Sequence, residues 1–538
     1  MPVLQPVTSY PLESLTMIRR WIIWLGQQEE AIRRVAILTI LYLMPAIWIL
    51  RPVIVDPDIW WHLQTGKWIV DHGTLPTTDP FSSYGEGNSW VAYSWLFEVG
   101  MYGLLQVFGE TGLVLYTLVS AWSIMLVLHW IIGTRCSDFV GVCGWLAACV
   151  VALSGMFTPR PWLLTILFFA ITLQVVLSLR DGKDSRAFWL LPIAYVIWAN
   201  MHIQFIYGLG LLGLASVAPL IDHLAQPYTG TRPVMAWRSP QWSKLVGLTG
   251  LCAFATLVTP YHVRLYSIVV ELSAQTGMWE YIKEMQAPAF RSIDDWAMLA
   301  LVGIALVQLG WRRSWSSFEI LFLFVAGASA FRGQRDVWFL VLAAVVVLLP
   351  IQIRETKKRW SIVPRGRAAP VACCVAAAVI CIAGFRGFSE VKIQENTGKI
   401  YPIEAASFVE RQGYSGPLYN HFDWGGYLIW RLPHLKVSMD GRANVHGDDR
   451  IKQALSTWAG NPHWMEDPEL NKAGVIIAQK DMALTALLHL DPRFQLAYQD
   501  ETAVVFTRAR QGRDQSNAPA LKGFSSDPPV IADLAPTR

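Results

Sequence analysis

The chain has 538 residues, of which 53% are hydrophobic and 16% charged, with a mean hydropathy of +0.35. That balance excludes an ordinary soluble domain, in which about a quarter of the residues are charged. The formal net charge of +4 comes without the basic, aromatic-interleaved patches that nucleic-acid binding needs, so nucleic acid is not an expected partner.

Residues 1–34 read as a cytoplasmic N-terminal segment carrying Arg19, Arg20, Arg33 and Arg34. The first apolar run lacks a small-residue cleavage site, so a cleavable signal is not expected. Ile18 to Leu25, with Trp and Ile beside arginines, suits a helix lying flat on the inner surface and equally a plain lead-in. From residue 35 to 387, apolar runs recur that can cross a hydrocarbon core of roughly 30 Å, which takes about 20 residues. About eleven spans are expected, at 35–54, 111–132, 139–157, 162–179, 187–199, 203–221, 245–259, 296–311, 316–331, 337–353 and 369–385, with 187–199 short enough to be re-entrant. The expected fold class is an α-helical polytopic membrane protein.

Lys and Arg are retained on the cytoplasmic side of a membrane. Arg135, Arg180, Lys183, Arg186, Arg312, Arg313 and the cluster Arg354, Lys357, Lys358, Arg359, Arg365 and Arg367 all fall on the side of the N-terminus. The chain from 388 onward is then extracytoplasmic. The seven cysteines lie in apolar runs or at their cytoplasmic ends, which suits neither a disulfide framework nor a zinc pair.

The outward loops collect the polar residues. The first, 55–95, opens on Asp56-Pro57-Asp58-Ile59-Trp60-Trp61-His62 and continues through Lys67, Asp71, His72 and Asp79. Later turns on the same side bring Arg160, Asn200 and His202, Tyr261 and His262, Glu280 and Glu284, and Arg332 to Asp336. The spans carry almost no formal charge at mid-depth, where an ion path or proton relay would show it. This one-sidedness suggests a surface active site rather than a conduit. Each member also has a plainer use: Asp-Pro-Asp shapes a turn, tryptophans form an interfacial belt, arginines anchor at headgroups, and His202 beside Asn200 plugs a helix end. Their occurrence together on one face favours a site.

Residues 388–510 pattern as an α/β domain. Helices are expected near 402–412, 425–432 and 481–490, and strands near 416–420, 435–439, 474–479, 494–499 and 502–508. Asp440, Arg442, His446, Asp448 and Asp449 form a second polar cluster suited to acceptor contact or domain docking. The Pro, Ser and Asp content of 511–538 predicts a disordered tail.

Several of these strings resemble a bacterial group of multispanning proteins assigned to the GT-C type of glycosyltransferase. They are Asp56-Pro-Asp-Ile-Trp-Trp-His62, Thr65-Gly66-Lys67, Thr78-Asp79-Pro80-Phe81-Ser82, Arg160-Pro161, Trp198-Ala-Asn-Met-His202, Thr259-Pro-Tyr261 and Arg332. Asn420-His421-Phe422-Asp423-Trp424-Gly425-Gly426-Tyr427-Leu-Ile-Trp430, Asp440-Gly441-Arg442 and Gly447-Asp448 complete the set. The resemblance implies a GT-C-like transmembrane fold in a bacterial plasma membrane, with an extracytoplasmic C-terminal domain. It implies a sugar donor on a polyprenyl phosphate and a lipid, glycan or protein acceptor.

Such transfer needs a base for the acceptor hydroxyl proton and a cation for the departing lipid phosphate. Asp56 or Asp58 can be the base. Arg160, Arg332, Arg335, Lys67 or a divalent metal can meet the phosphate, with Arg332 expected to matter more than Arg335. Glu284 or His62 would complete a metal site with the two aspartates. Trp60 and Trp61 can stack on a sugar ring, and Asn200 and His202 complete the substrate contacts. No G-x-G-x-x-G or Walker loop calls for a nucleotide. The alternatives are a transporter or lipid flippase, and a non-catalytic scaffold displaying the C-terminal domain.

Overall fold

The computed structural model describes residues 12–50, 55–183, 187–229, 233–275, 277–312, 316–349, 368–385 and 390–509. Arg186, Arg313, the basic stretch 354–367, the side chains of Arg19 and Arg20 and the tail 511–538 lie outside the described residues.

Most of the described chain is helical. Among the described residues, five helices are long and apolar enough to cross a membrane: Glu29–Ile49, Thr111–Gly133, Trp162–Arg180, Phe205–Pro227 and Ile293–Trp311. The other expected spans also fall on helices, namely Phe139–Ala152, Ala187–Met201, Pro240–Ala255, Ser317–Arg332, Val337–Leu348 and Ala368–Phe385, of 12 to 18 residues. These are shorter than the about 20 residues of a straight crossing. The N-terminal helix runs unbroken over Leu12–Ile49, so Ile18 to Leu25 continue into the first span instead of forming a separate surface helix. Val337–Leu348 is apolar all round and buried along its whole length, which puts it at the centre of the helical core.

The first loop is itself folded. It forms the helices Ile59–His72 and Trp95–Phe108, joined by a segment with bridges from Thr78 to Ser89 and from Asp79 to Glu86. The two helices touch closely at Gly66, where a Cβ would strike the Glu98 carbonyl.

The C-terminal region holds β1 (Leu418–Asn420), β2 (Val475–Gln479), β3 (Phe494–Gln499) and β4 (Ala503–Arg508), in the order β1-β2-β4-β3. β1 and β2 run parallel and the other pairs antiparallel. The helix expected from Gly425 starts earlier, at Phe422, because the His421 ring caps it by accepting from the Asp423 N–H. The strand expected at 435–439 reduces to bridges of Val437 with Leu418 and with Ser82. The polar cluster 440–449 leads into an unexpected helix, Ala443–Trp458, kinked at Gly447.

Those Val437 bridges carry the sheet across to the first loop. Ser83 N–H donates to the Val437 carbonyl at 2.9 Å, and Val437 N–H to the Phe81 carbonyl at 3.1 Å. The two regions also share one apolar core, with Trp60, Phe81, Trp90 and Phe97 packed among Tyr401, Leu418, Trp424 and Tyr427. Segments more than three hundred positions apart thus form one body over one end of the apolar helices.

Candidate active site

Asp56 accepts from the Asp58 N–H at 2.9 Å, closing a turn through Pro57 that brings both carboxylates to the same cation. That cation is Arg160, from the connection before Trp162–Arg180. Its Nε lies 2.5 Å from Asp56, and its Nη1 lies 2.7 Å from Asp58 and 3.1 Å from Glu284. Trp162 packs under the guanidinium at 4.7 Å, and Tyr116 Oη donates to the Arg160 carbonyl at 2.9 Å. Three carboxylates therefore share one guanidinium. Burial pushes the Asp58 carboxyl up to about 6 against the pull of Arg160, with Glu284 and Asp56 adding to the rise.

The C-terminal region roofs this cluster. A side chain at Gly441 would overlap the Asp58 carboxylate, and one at Gly426 would strike the Pro57 carbonyl. Tyr401 donates to the Val55 carbonyl at 2.9 Å. The roof is latched by Arg442, whose Nη1 lies 2.7 Å from Asp79 and whose Nη2 lies 2.7 Å from Asp440. His446 adds a contact to Asp440 at 3.1 Å, and the Arg442 guanidinium is flanked by the Phe81 and Trp90 rings at 5.1 and 4.8 Å. Burial works against the Asp440 charge, but Arg442 and His446 hold its carboxyl well below the usual carboxylate range. Of the two roles open to the 440–449 cluster, Asp440, Arg442 and His446 serve docking.

A second wall rises from the helix ends. His202 Nδ1 and Thr165 Oγ1 are 2.8 Å apart, and Arg335 Nη2 approaches His202 Nε2 at 3.5 Å. The Arg335 Nε is buried without a partner among the described residues. Asn200 accepts from Trp95 Nε1 at 2.9 Å, which fixes the first loop against the end of Ala187–Met201. Tyr93 lies between the two walls, within the electrostatic reach of Arg335 on one and of Asp58 and Arg160 on the other.

Of the expected site residues, Asp56, Asp58, Glu284, Arg160, His62, His202 and Arg335 are brought together. Trp61 lies against His62, its ring tilted and the ring centres 3.6 Å apart. Four others are placed differently. Trp60 is a docking side chain, edge-on to Tyr401 and Tyr427 with ring centres at 5.9 and 5.3 Å. Lys67 points away on the outer face of its helix, 2.6 Å from Asp71. Arg332 is exposed and lies over the Trp279 ring at 4.0 Å, on the rim. Asn200 is held in the packing between Trp95 and the Val196 and Val258 carbonyls.

Sequence reasoning missed Glu98, Thr165 and Trp279. Glu98 carried a usable signal, a lone carboxylate in an otherwise apolar helix, which is costly unless it has work to do. Among the described residues, no three His, Cys, Asp or Glu side chains are grouped to hold a metal ion. The three site carboxylates turn to Arg160, so this arrangement offers a divalent metal no free set of donors.

No protein-family model matches the chain, and no curated protein matches it in sequence.

Proposed function

We propose that this protein is a GT-C-type glycosyltransferase of a bacterial plasma membrane, moving a sugar from a polyprenyl phosphate to an extracytoplasmic acceptor. In this reading the chain crosses the membrane about eleven times, with the N-terminus inside and the first loop and C-terminal region outside. The observation that carries it is the convergence of Asp56, Asp58 and Glu284 on Arg160 at one end of the apolar helices, under a latched roof. Nucleotide sugars are made in the cytoplasm, so an enzyme acting outside must draw on a lipid-borne donor. Fixed carboxylates suit the positive charge that develops on the sugar as its bond to phosphate breaks. Arg335, whose guanidinium approaches His202 and makes no salt bridge to a carboxylate among the described residues, suits the departing phosphate.

Purified protein given a panel of polyprenyl-phosphate hexoses and pentoses with envelope lipids should produce a glycosylated product detectable by mass spectrometry. The absence of any product across the panel would sink the reading. Orientation has its own check. A reporter active only in the cytoplasm, fused after Phe506, should be silent, and an active fusion would reverse the sidedness.

The arginines give a further prediction, in the opposite order to the sequence-based one. Bidentate phosphate binding depends on a planar fork, while a headgroup anchor needs only charge. Arg335, enclosed in the site, should lose donor affinity on Arg335→Lys. Arg332, exposed on the rim, should tolerate Arg332→Lys with little change. Donor KM on both purified variants decides between the two orders.

A further inference from the structure

Beside the Arg160 cluster, the two first-loop helices enclose another pair of titratable side chains. His62 Nδ1 lies 3.1 Å from Glu98 Oε1, and the two residues are only 4% and 1% exposed. Glu98 Oε2 is buried without a partner among the described residues. The imidazole is held between Trp61, tilted against it with ring centres 3.6 Å apart, and Phe97, edge-on at 5.2 Å. Besides its Glu98 partner, His62 is faced by Arg160, His202 and Arg335, and Glu98 in turn by Arg442, Tyr93 and Tyr261. His62 and His202 both face Arg160 and Arg335, but both His202 nitrogens are engaged, Nδ1 by Thr165 and Nε2 by Arg335. Asp56 and Asp58, by contrast, each hold an oxygen against Arg160, which competes with an acceptor hydroxyl for the carboxylate.

We propose that His62 takes the acceptor proton and that Glu98 is its positioning residue, an assignment that rests on the transferase reading above. His62 Nδ1–H donates to Glu98, which leaves the Nε2 lone pair for the acceptor hydroxyl. The acceptor oxygen bonds to the anomeric carbon as the bond from that carbon to the phosphate oxygen breaks. The electron pair of the broken bond leaves with the polyprenyl phosphate. The acceptor proton passes to Nε2, and the imidazolium so formed is matched by the Glu98 carboxylate, as in a His-carboxylate dyad.

Burial lifts the Glu98 carboxyl to about 8, with Arg442 opposing, while burial and the three neighbours lower the imidazole. Below that pH the pair holds a proton and cannot take another readily; above it the pair is free to act. The rate should therefore rise with pH through about 8, whereas a base at Asp58 would give a rise through about 6.

The test is the pH profile of transfer by purified full-length protein, with a polyprenyl-phosphate hexose or pentose as donor and envelope lipid as acceptor. It is run beside an infrared titration of the protonated carboxyl band. His62→Gln should lose about a hundredfold or more in rate. Glu98→Gln, which keeps the shape and removes the titrating carboxyl, should lose both the alkaline rise and the infrared band. A rise near 6 that Glu98→Gln leaves unmoved overturns the assignment, as does full activity in both variants. If the wild-type protein transfers nothing, the transferase reading falls and takes the assignment with it. A band that still titrates near 8 and vanishes in Glu98→Gln would place that failure in the reading and not in the pair.

Discussion

Arg442→Met should lower the stability of the joined first loop and C-terminal region by about 3–5 kcal/mol, the usual cost of breaking a buried ion pair from one side. Arg442, Asp79 and Asp440 are all almost fully buried, so the variant would leave two carboxylates without their cation. The Phe81 and Trp90 rings would also lose the guanidinium they flank. Thermal unfolding of the purified protein in detergent, followed by proteolysis of the C-terminal region, reads the effect. Adding Asp79→Asn and Asp440→Asn to Arg442→Met should recover much of the loss, because no buried charge is then left unpaired. The folded pKa of Asp440 is depressed, so its contribution is present above the unfolded value of about 3.9 and disappears as the pH falls below it. A melting temperature unchanged in Arg442→Met would mean that the apolar core and the Val437 bridges hold the roof alone.

The helical core was legible because about 20 apolar residues in a row leave few other structures open. Its lengths were not, because Ser154–Met156 ends the third expected span as a short 3₁₀ turn where hydropathy continues. Strands β2, β3 and β4 showed in their Val, Ile and Phe content. The strand expected at 435–439 shrank to bridges at Val437, whose pairing with Ser82 could not be read, since a partner that distant leaves no local pattern. Asp56, Asp58 and Arg160 could be singled out as polar groups at one end of apolar runs. That Arg160 would hold both aspartates and Glu284 depends on contacts between residues over a hundred positions apart, which no spacing records. The placement of Trp60 was not legible for a related reason. An indole suits a sugar face and an aromatic cluster equally, and the partners Tyr401 and Tyr427 that decide the case for Trp60 lie in the C-terminal region.

Asp58→Asn should cut transfer by about a hundred- to a thousandfold, the typical cost of removing one preorganised electrostatic contact to a transition state. It should do so without loss of folded protein. The Asp58 carboxyl is buried under Gly441 and lifted to about 6, so the folded state disfavours its charge even with Arg160 beside it. A carboxyl whose pKa is raised on folding contributes stability below its unfolded value and loses that contribution as the pH rises through its folded value. Wild-type protein should therefore gain melting temperature when the pH is lowered through about 6, and Asp58→Asn should lack that gain. At alkaline pH the variant should melt no lower than wild type, because an uncharged amide replaces a carboxylate held ionised at a cost. Activity and stability would then move apart, as expected of a residue kept for its charge at a site where charge is unfavourable. Melting curves and transfer rates at acid and alkaline pH measure both effects. A variant that loses stability and activity together at every pH would show Asp58 to be a structural turn residue.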